Sequence, residues 1–194
     1  MLEKLYDWMM KKAESKNAVS FLIFISFIES SFFPLPPDPV LAIVVAKNKN
    51  KTMYYAAMCS VASVLGGFLG YYIGYAFFEL IGSKILSILG LMKKFEEINP
   101  DTLNKFAFWI ICAKGLTPIP YKLITIASGF AKVDLWTFGV ASVITRTARF
   151  MLLSIICKIF GEQVLNFVEK HKKITLSLII IGVLLGVLLV KLLV

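Results

Sequence analysis

The sequence predicts an all-α integral membrane protein, built as an inverted repeat of two re-entrant helical hairpins together with spanning helices. The 194-residue chain is 58% hydrophobic and has a mean hydropathy of +0.80, which lies outside the range of soluble globular proteins. Two apolar runs, 19–46 and 106–131, are each interrupted by prolines and charged residues. Three further runs are long enough for a membrane crossing, which takes about 20 apolar residues.

Residues 1–16 are predicted to form an amphipathic helix that lies on the membrane surface. Leu2, Leu5, Met9 and Ala13 recur at helical spacing, and lysines occupy other faces of the same helix. The stretch is rich in charge and lacks a short apolar core followed by a small-residue cleavage site. No signal peptide is therefore expected here.

The first broken run, 19–46, is predicted to be a re-entrant hairpin. It has about 14 apolar-rich residues before its prolines and about seven after them, so a hairpin fits better than one kinked spanning helix. Its break contains Pro34 and Pro36, with Glu29 before them and Asp38 after them. Non-helical backbone at membrane depth must be buried or line a cavity, and a carboxylate there needs water, protein or a counter-charge. The break is therefore a candidate site.

The second broken run repeats this arrangement with basic residues in place of acidic ones. Its residues at the break are Lys114, Pro118, Pro120 and Lys122. Aligning Pro34 with Pro118 gives an offset of 84 residues (118 − 34), which also aligns Asp38 with Lys122. We therefore predict a transmembrane domain over 17–165, with halves at about 17–92 and about 104–165. If the two hairpins enter from opposite sides, the repeats are inverted, which is a transporter arrangement.

The spanning segments are predicted at 52–81, at 135–160 and in a C-terminal helix at 174–194. Gly66, Gly70 and Gly74 recur at steps of four, which favours close approach of another helix rather than a catalytic role. Under this arrangement most lysines outside the membrane fall on the side of the N-terminus, in 1–16, 47–51 and 158–173. The positive-inside rule then predicts a multi-pass protein of the cytoplasmic membrane with a cytoplasmic N-terminus.

The charged residues at membrane depth form the predicted site. They comprise two acids and four bases, which leaves two more positive than negative charges: Glu29, Asp38, Lys114, Lys122, Arg146 and Arg149. Arg146 lies about ten residues into its helix and hence about 15 Å below its start, and Arg149 shares its face. The second hairpin arms, beginning near Val40 and Leu123, would add positive helix ends.

An excess of positive charge at depth predicts an anionic partner. Arginine favours bidentate contacts to phosphate or carboxylate, so the expected partner is a membrane lipid with an anionic, phosphate-bearing headgroup, or another organic anion. The bases would bind this headgroup, and Glu29 and Asp38 would act as gating or proton-responsive acids. Two alternatives stay open, namely that the charges only neutralise one another and hold the hairpins, or that the chain transports a small solute or ion. A homo-oligomer is also left open.

Several other functions are not expected from this sequence. The cations lie at the ends of apolar runs rather than on a soluble face, which argues against nucleic-acid binding. The sequence has no HExxH or GxSxG motif and no histidine at depth, so an enzyme is not expected. Cys59, Cys112, Cys157 and His171 do not form a metal-binding pattern, so no metal or cofactor is expected.

Three segments resemble the DedA family of VTT-domain (SNARE-associated) membrane proteins, and specifically its YqaA-like branch. They are 27–39 (Phe-Ile-Glu-Ser-Ser-Phe-Phe-Pro-Leu-Pro-Pro-Asp-Pro), 117–122 (Thr-Pro-Ile-Pro-Tyr-Lys) and 125–129 (Thr-Ile-Ala-Ser-Gly). Ala141-Ser142, followed by Arg146 and Arg149-Phe150, extends the resemblance over about residues 17 to 165.

The resemblance implies two re-entrant hairpins and a role in membrane homeostasis. Members of this family are implicated in moving lipids between leaflets, as phospholipid scramblases or as flippases for undecaprenyl phosphate, and in phenotypes that depend on the proton motive force. This chain has Lys114 and Lys122 near the place where the best-known members carry an arginine pair around a proline.

Overall fold

The computed structural model describes residues 12–13, 15, 17–31, 36–90, 92–115 and 121–170, with side chains to residue 161 except those of 94, 114 and 115. Within these ranges every regular element is a helix, which confirms the all-α prediction. Most of the predicted interfacial helix at 1–16, and all of the predicted C-terminal helix at 174–194, lie outside the described residues.

The described helices fall into two groups of three, joined by two short helices. They are α1 (Ala18–Ser31), α2 (Asp38–Lys47), α3 (Thr52–Phe77), α4 (Ser83–Ile88), α5 (Met92–Glu96), α6 (Pro100–Gly115), α7 (Tyr121–Phe130) and α8 (Leu135–Lys170). A 3₁₀ turn, Lys49–Lys51, precedes α3, and a π turn, Phe78–Gly82, joins α3 to α4. The predicted breaks fall between α1 and α2 and between α6 and α7.

The second helix of each pair begins earlier than the sequence predicted. α2 starts at Asp38 and α7 at Tyr121, each two residues before the expected Val40 and Leu123. Pro39 lies in the first turn of α2, where a missing backbone N–H costs nothing because that group has no helical partner. Asp38 therefore places its carboxylate at the positive end of its own helix, which stabilises the helix start.

Within the described ranges, two helical stretches are long and apolar enough to cross a membrane. They are Lys49–Ile88, with 40 residues, and Leu135–Gly161, with 27 residues. They contain the predicted spans at 52–81 and 135–160. Large apolar side chains are exposed on the outside of both stretches, including Tyr72 and Trp136, as expected for surfaces that face hydrocarbon.

The helices recur at the spacing found in the sequence. Adding 84 to the bounds of α1 and α2 gives 102–115 and 122–131, which match Pro100–Gly115 and Tyr121–Phe130 to within two residues. The start of α3 maps to residue 136, one residue after the start of α8. The first half is therefore α1–α3 and the second half is α6–α8.

Helix packing follows the same symmetry. The first helix of each half packs on the long helix of its own half, α1 on α3 and α6 on α8. The second helix of each half packs on the long helix of the other half, α2 on α8 and α7 on α3. The two long helices also pack on each other. The halves thus exchange their second helices across a shared interface.

The glycines of α3 allow this packing to be close. A Cβ atom at Gly66 would overlap the backbone carbonyl of Phe27 in α1, and one at Gly74 would overlap that of Ile126 in α7. Between them, a Cβ at Gly70 would overlap the side chain of Thr125. The predicted close approach of neighbouring helices along this glycine stripe is confirmed.

Candidate functional site

The charged side chains meet on one face of α8. Arg146 and Arg149 lie three residues apart, which brings them to the same side of the helix. Glu29 comes from α1 near its C-terminus and Asp38 from the first turn of α2. The crossing of the two halves therefore brings together both acids and both arginines of the predicted site.

Arg146 is the most buried charged group of this cluster. It is 1% exposed and stands among the largest fully buried side chains of the described core. Its Nη2 donates to Glu29 Oε2 at 3.3 Å, and its Nε donates to Ser63 Oγ on α3 at 2.5 Å. The guanidinium carbon lies 4.5 Å from the centre of the Tyr121 ring and 4.9 Å from that of Phe150. Ring faces attract a cation, so both rings help to replace its water shell.

Arg149 and Asp38 form a second, more accessible ion pair. Arg149 Nη2 lies 2.7 Å from Asp38 Oδ2, and the two side chains are 29% and 33% exposed. In the described part of the chain, the other carboxylate oxygen of Asp38, Oδ1, is buried without a hydrogen-bond partner. An unpaired buried oxygen is costly, so this end of the site is incompletely satisfied.

A chain of buried hydroxyls links Arg146 to α1. Ser63 Oγ lies 2.6 Å from Ser30 Oγ. The Ser30 hydroxyl can donate to the backbone carbonyl of Ser26 at 3.0 Å or to Glu29 Oε2 at 3.3 Å. These residues connect α1, α3 and α8 at a single point.

The two predicted lysines differ from the arginines. Lys122 follows Tyr121 in the first turn of α7 and is partly buried, and among the described residues no carboxylate forms a salt bridge with it. Its repeat counterpart is Asp38, but the counterpart of Arg149 on α3 is Leu65 (149 − 84), which has no charge to offer. The side chain of Lys114 lies outside the described residues.

The prolines of the predicted breaks are mostly beyond the described ranges. Pro36 is partly buried just before α2, whereas Pro34, Pro118 and Pro120 lie outside them. The described residues place the helices on either side of each break.

Sequence reasoning singled out the acids and arginines that the structure brings together, but missed the neutral side chains beside them. Ser30, Ser63 and Tyr121 were not singled out, although all three contact the arginine cluster or its acid. A usable signal was present in the serines of the apolar run that forms α3, Ser60 and Ser63, which lie one helical turn apart at membrane depth. The pairing also assigns the excess positive charge of the predicted site: each arginine contacts one acid, so the two remaining positive charges are those of the lysines.

The VTT domain family matches residues 35–159, which is more than half of the chain. The chain belongs to the VTT-domain, or DedA, family. This confirms the resemblance drawn from the sequence motifs. The matched region contains Asp38, Lys122, Arg146 and Arg149, and Glu29 lies just before it. VTT-domain proteins are membrane-associated and transporter-like or lipid-related, rather than a family of enzymes.

Similar proteins occur in two bacteria. An uncharacterized protein of Haemophilus influenzae is 31% identical over 181 residues, which covers 92% of this chain and 88% of the relative. An uncharacterized protein of Histophilus somni is 34% identical over 163 residues, covering 82% of each chain. No solved structure matches the chain.

Proposed function

We propose that this VTT-domain protein moves a phosphate-bearing lipid, such as undecaprenyl phosphate or a phospholipid, between the leaflets of the cytoplasmic membrane. In this proposal the chain is multi-pass with its N-terminus in the cytoplasm. The pairs α1–α2 and α6–α7 are re-entrant hairpins that enter from opposite sides, and their tips meet at the charged cluster.

The observation that best supports the proposal is the pairing of Arg146 with Glu29. A guanidinium that is 1% exposed within a membrane-spanning stretch is costly, and ionisable groups at that depth are functional by default. Its only carboxylate contact among the described residues is at 3.3 Å, through a single nitrogen. A phosphate monoester, such as undecaprenyl phosphate, has more charge and more terminal acceptor oxygens than one carboxylate, so it can displace Glu29 from this nitrogen.

The remaining charges suggest how a headgroup reaches Arg146. Arg149 and Asp38 are about one-third exposed, so an incoming phosphate can meet Arg149 first. Lys122 supplies a positive charge that no described acid neutralises, and Lys114 would add another. Glu29 and Asp38 are the acids that the headgroup displaces, which makes them the gating or proton-responsive groups.

Apolar clefts on the helices that carry the site favour a lipid over a small polar solute. A cleft of about 290 Å³ between α6 and α7 is lined by apolar residues such as Leu123 and Ala127. A second cleft, of about 570 Å³ beside α3 and α8, is lined by residues such as Trp136 and Val140. Apolar clefts on membrane-spanning helices suit hydrocarbon chains. A purely structural role for the charges explains the two ion pairs but does not explain the positive charge of Lys122, which no described acid neutralises.

The test is lipid movement by the purified full-length protein in liposomes, with leaflet-resolved labelling. A polyprenyl phosphate, a phospholipid and the neutral lipid diacylglycerol are compared for the wild type, Arg149→Lys and Arg149→Gln. We expect movement of the phosphate-bearing lipid to fall in that order, because Lys keeps the charge but loses the planar fork, and Gln loses both. Diacylglycerol should move little in every case.

The matched control is Lys51→Gln, which removes one positive charge at an exposed position before α3. It should move lipid as the wild type does. Equal movement of charged and neutral lipids, by wild type and Arg149→Gln alike, would show that these cations do not recognise the headgroup.

A further inference from the structure

Among the described residues, the contacts of Arg146 differ between its Nε atom and its Nη edge. The rings of Tyr121 and Phe150 lie within 5 Å of its central carbon. Its Nε carries a single hydrogen, which is donated to Ser63 at 2.5 Å, and the other four N–H bonds are on the two Nη nitrogens. The carboxylate of Glu29, which is 15% exposed, contacts Nη2. The Nη edge of the guanidinium is therefore held by Glu29, an acid that a bound anion can replace.

The contact with Arg146 favours one direction for the hydrogen bonds around Ser63. Arginine only donates, so Ser63 Oγ accepts from Arg146, and its own hydrogen is available for Ser30 Oγ at 2.6 Å. In that arrangement the Ser30 hydroxyl donates to the Ser26 carbonyl at 3.0 Å or to Glu29 at 3.3 Å. Because the Ser26 carbonyl is part of the α1 backbone, the series of hydrogen bonds from Arg146 through Ser63 and Ser30 stays complete when Glu29 moves away.

Ser63 and Glu29 therefore hold Arg146 in different ways. The contact to Ser63 is short, fully buried and anchored to the backbone of a second helix. The contact to Glu29 is longer, and the Glu29 side chain is itself 15% exposed. When the acid is displaced, the Ser63 contact keeps the plane of the guanidinium where it was.

We propose that Ser63 is a positioning residue that determines headgroup specificity. By binding Nε, it orients Arg146 so that the Nη edge, and not the fork formed by Nε and one Nη, receives the phosphate. The inference rests on the proposed function, because it concerns how the same site recognises its anion. Preorganised donors lose less freedom on binding than donors that must first be ordered.

The experiment measures binding of farnesyl phosphate, and of the neutral alcohol farnesol, to the full-length protein in detergent micelles. Ser63→Ala should weaken farnesyl phosphate binding about tenfold, the size expected when one hydrogen bond to a charged group is lost, and leave farnesol binding unchanged. Ser63→Thr keeps a hydroxyl at this position and should restore most of the affinity.

Ser60→Ala is the matched control. Ser60 is buried one turn earlier on α3, donates to the Ala56 carbonyl at 2.7 Å and touches Arg146 only at its backbone carbonyl, at 3.5 Å. The same hydroxyl group is removed at a similar depth, and binding of farnesyl phosphate should not change. If Ser63→Ala fails to fold, Ser30→Ala removes the acceptor of the Ser63 hydroxyl and should weaken binding about threefold. Wild-type affinity in that variant would overturn the proposal.

Two further readouts separate this inference from the proposed function. The ¹⁵N–¹H signal of Arg146 Nε should be protected from exchange in the wild type and Ser60→Ala but not in Ser63→Ala. In an Arg146→Lys background, which has no Nε, Ser63→Ala should cause no further loss of affinity. If the wild type prefers farnesyl phosphate and Ser63→Ala binds it equally well, the inference is wrong and the proposed function stands. If the wild type does not prefer farnesyl phosphate to farnesol, both are wrong.

Discussion

The two ion pairs of the site differ in burial, and this difference sets what each contributes to stability. Arg146 is 1% exposed and its partner Glu29 15%, whereas Arg149 and Asp38 are 29% and 33% exposed. Removing one member of a buried pair leaves an uncompensated charge, which costs about 3 to 5 kcal/mol. Exposed pairs contribute at most about 1 kcal/mol because water screens the charges.

We therefore expect Glu29→Gln to lower the free energy of unfolding by about 3 kcal/mol or more. Asp38→Asn should lower it by about 1 kcal/mol or less, because this pair is only partly buried, with side chains 29% and 33% exposed. Denaturant unfolding of the full-length protein in micelles measures both. Glu97→Gln, an exposed position in the connection between the halves, serves as a control with no expected change. Equal losses for Glu29→Gln and Asp38→Asn would contradict this assignment.

At the level of single residues, the sequence singled out the acids and arginines that the structure brings together, but not how they pair. A charge such as Glu29 is conspicuous within an apolar run, because an ionised group at membrane depth is costly and usually has a function. Its partner could not be assigned, because Arg146 and Arg149 are one turn apart and the choice depends on how α1 and α2 cross α8. The contact of Ser63 with Arg146 is set by the same crossing, so a serine within an apolar span gave no hint of its partner.

At the level of helices, close packing depends on glycine positions, where the neighbouring helix leaves no space for a Cβ atom. A Cβ at Gly66 or Gly74 would meet backbone atoms of α1 or α7, and backbone cannot move aside as a flexible side chain can. The glycine spacing predicted this contact from the sequence alone, because helices that approach closely in membranes share small residues at steps of four.

Gly66→Ala and Gly74→Ala should each destabilise the protein by about 1 to 3 kcal/mol or more, because the neighbouring helix must shift. Gly161→Ala is a matched control in α8, where a new Cβ would meet the Ala46 side chain at an ordinary 3.6 Å. This variant should unfold like the wild type or slightly later, since Ala favours helix over Gly by about 1 kcal/mol. Thermal unfolding in micelles compares the three. Loss of stability in Gly161→Ala alone would refute this account.

Helix boundaries were harder to predict than helix positions. The prolines near Asp38 suggested a break, yet the first turn of α2 accepts them, so the helix begins two residues before the expected Val40. The π turn at 78–82 was not predicted. Its surroundings, Phe78 stacked on Phe95 and Lys132 paired with Glu79, come from other parts of the chain and leave no local pattern.

At the level of the whole molecule, the spacing of the two halves predicts their orientation. The stretch Lys49–Ile88 has 40 residues, which at about 1.5 Å per residue is longer than the roughly 30 Å hydrocarbon core. Its two ends should therefore lie in water on opposite sides of the membrane.

Asn50→Cys and Glu97→Cys, each in a cysteine-free background, should react with a membrane-impermeant thiol reagent from opposite sides. Both positions are exposed, so accessibility is not limited by burial. Labelling in intact and inside-out vesicles distinguishes the sides, with Asn50→Cys expected to react from the cytoplasm. Reaction of both cysteines from one side would contradict the multi-pass arrangement.

The exchange of second helices between the halves has a consequence for biosynthesis. α2 packs on α8, which begins 97 residues later in the chain (135 − 38). At a synthesis rate of about 5 to 20 residues per second, the partner surface for α2 reaches the membrane roughly 5 to 20 s after α2 itself. During that time Asp38 cannot form its ion pair with Arg149. The face of α2 that later packs on α8 must then contact lipid or the insertion machinery. A ribosome that stalls between the halves leaves a protein that membrane proteases can recognise, so quality control of this chain depends on the arrival of its last described helix.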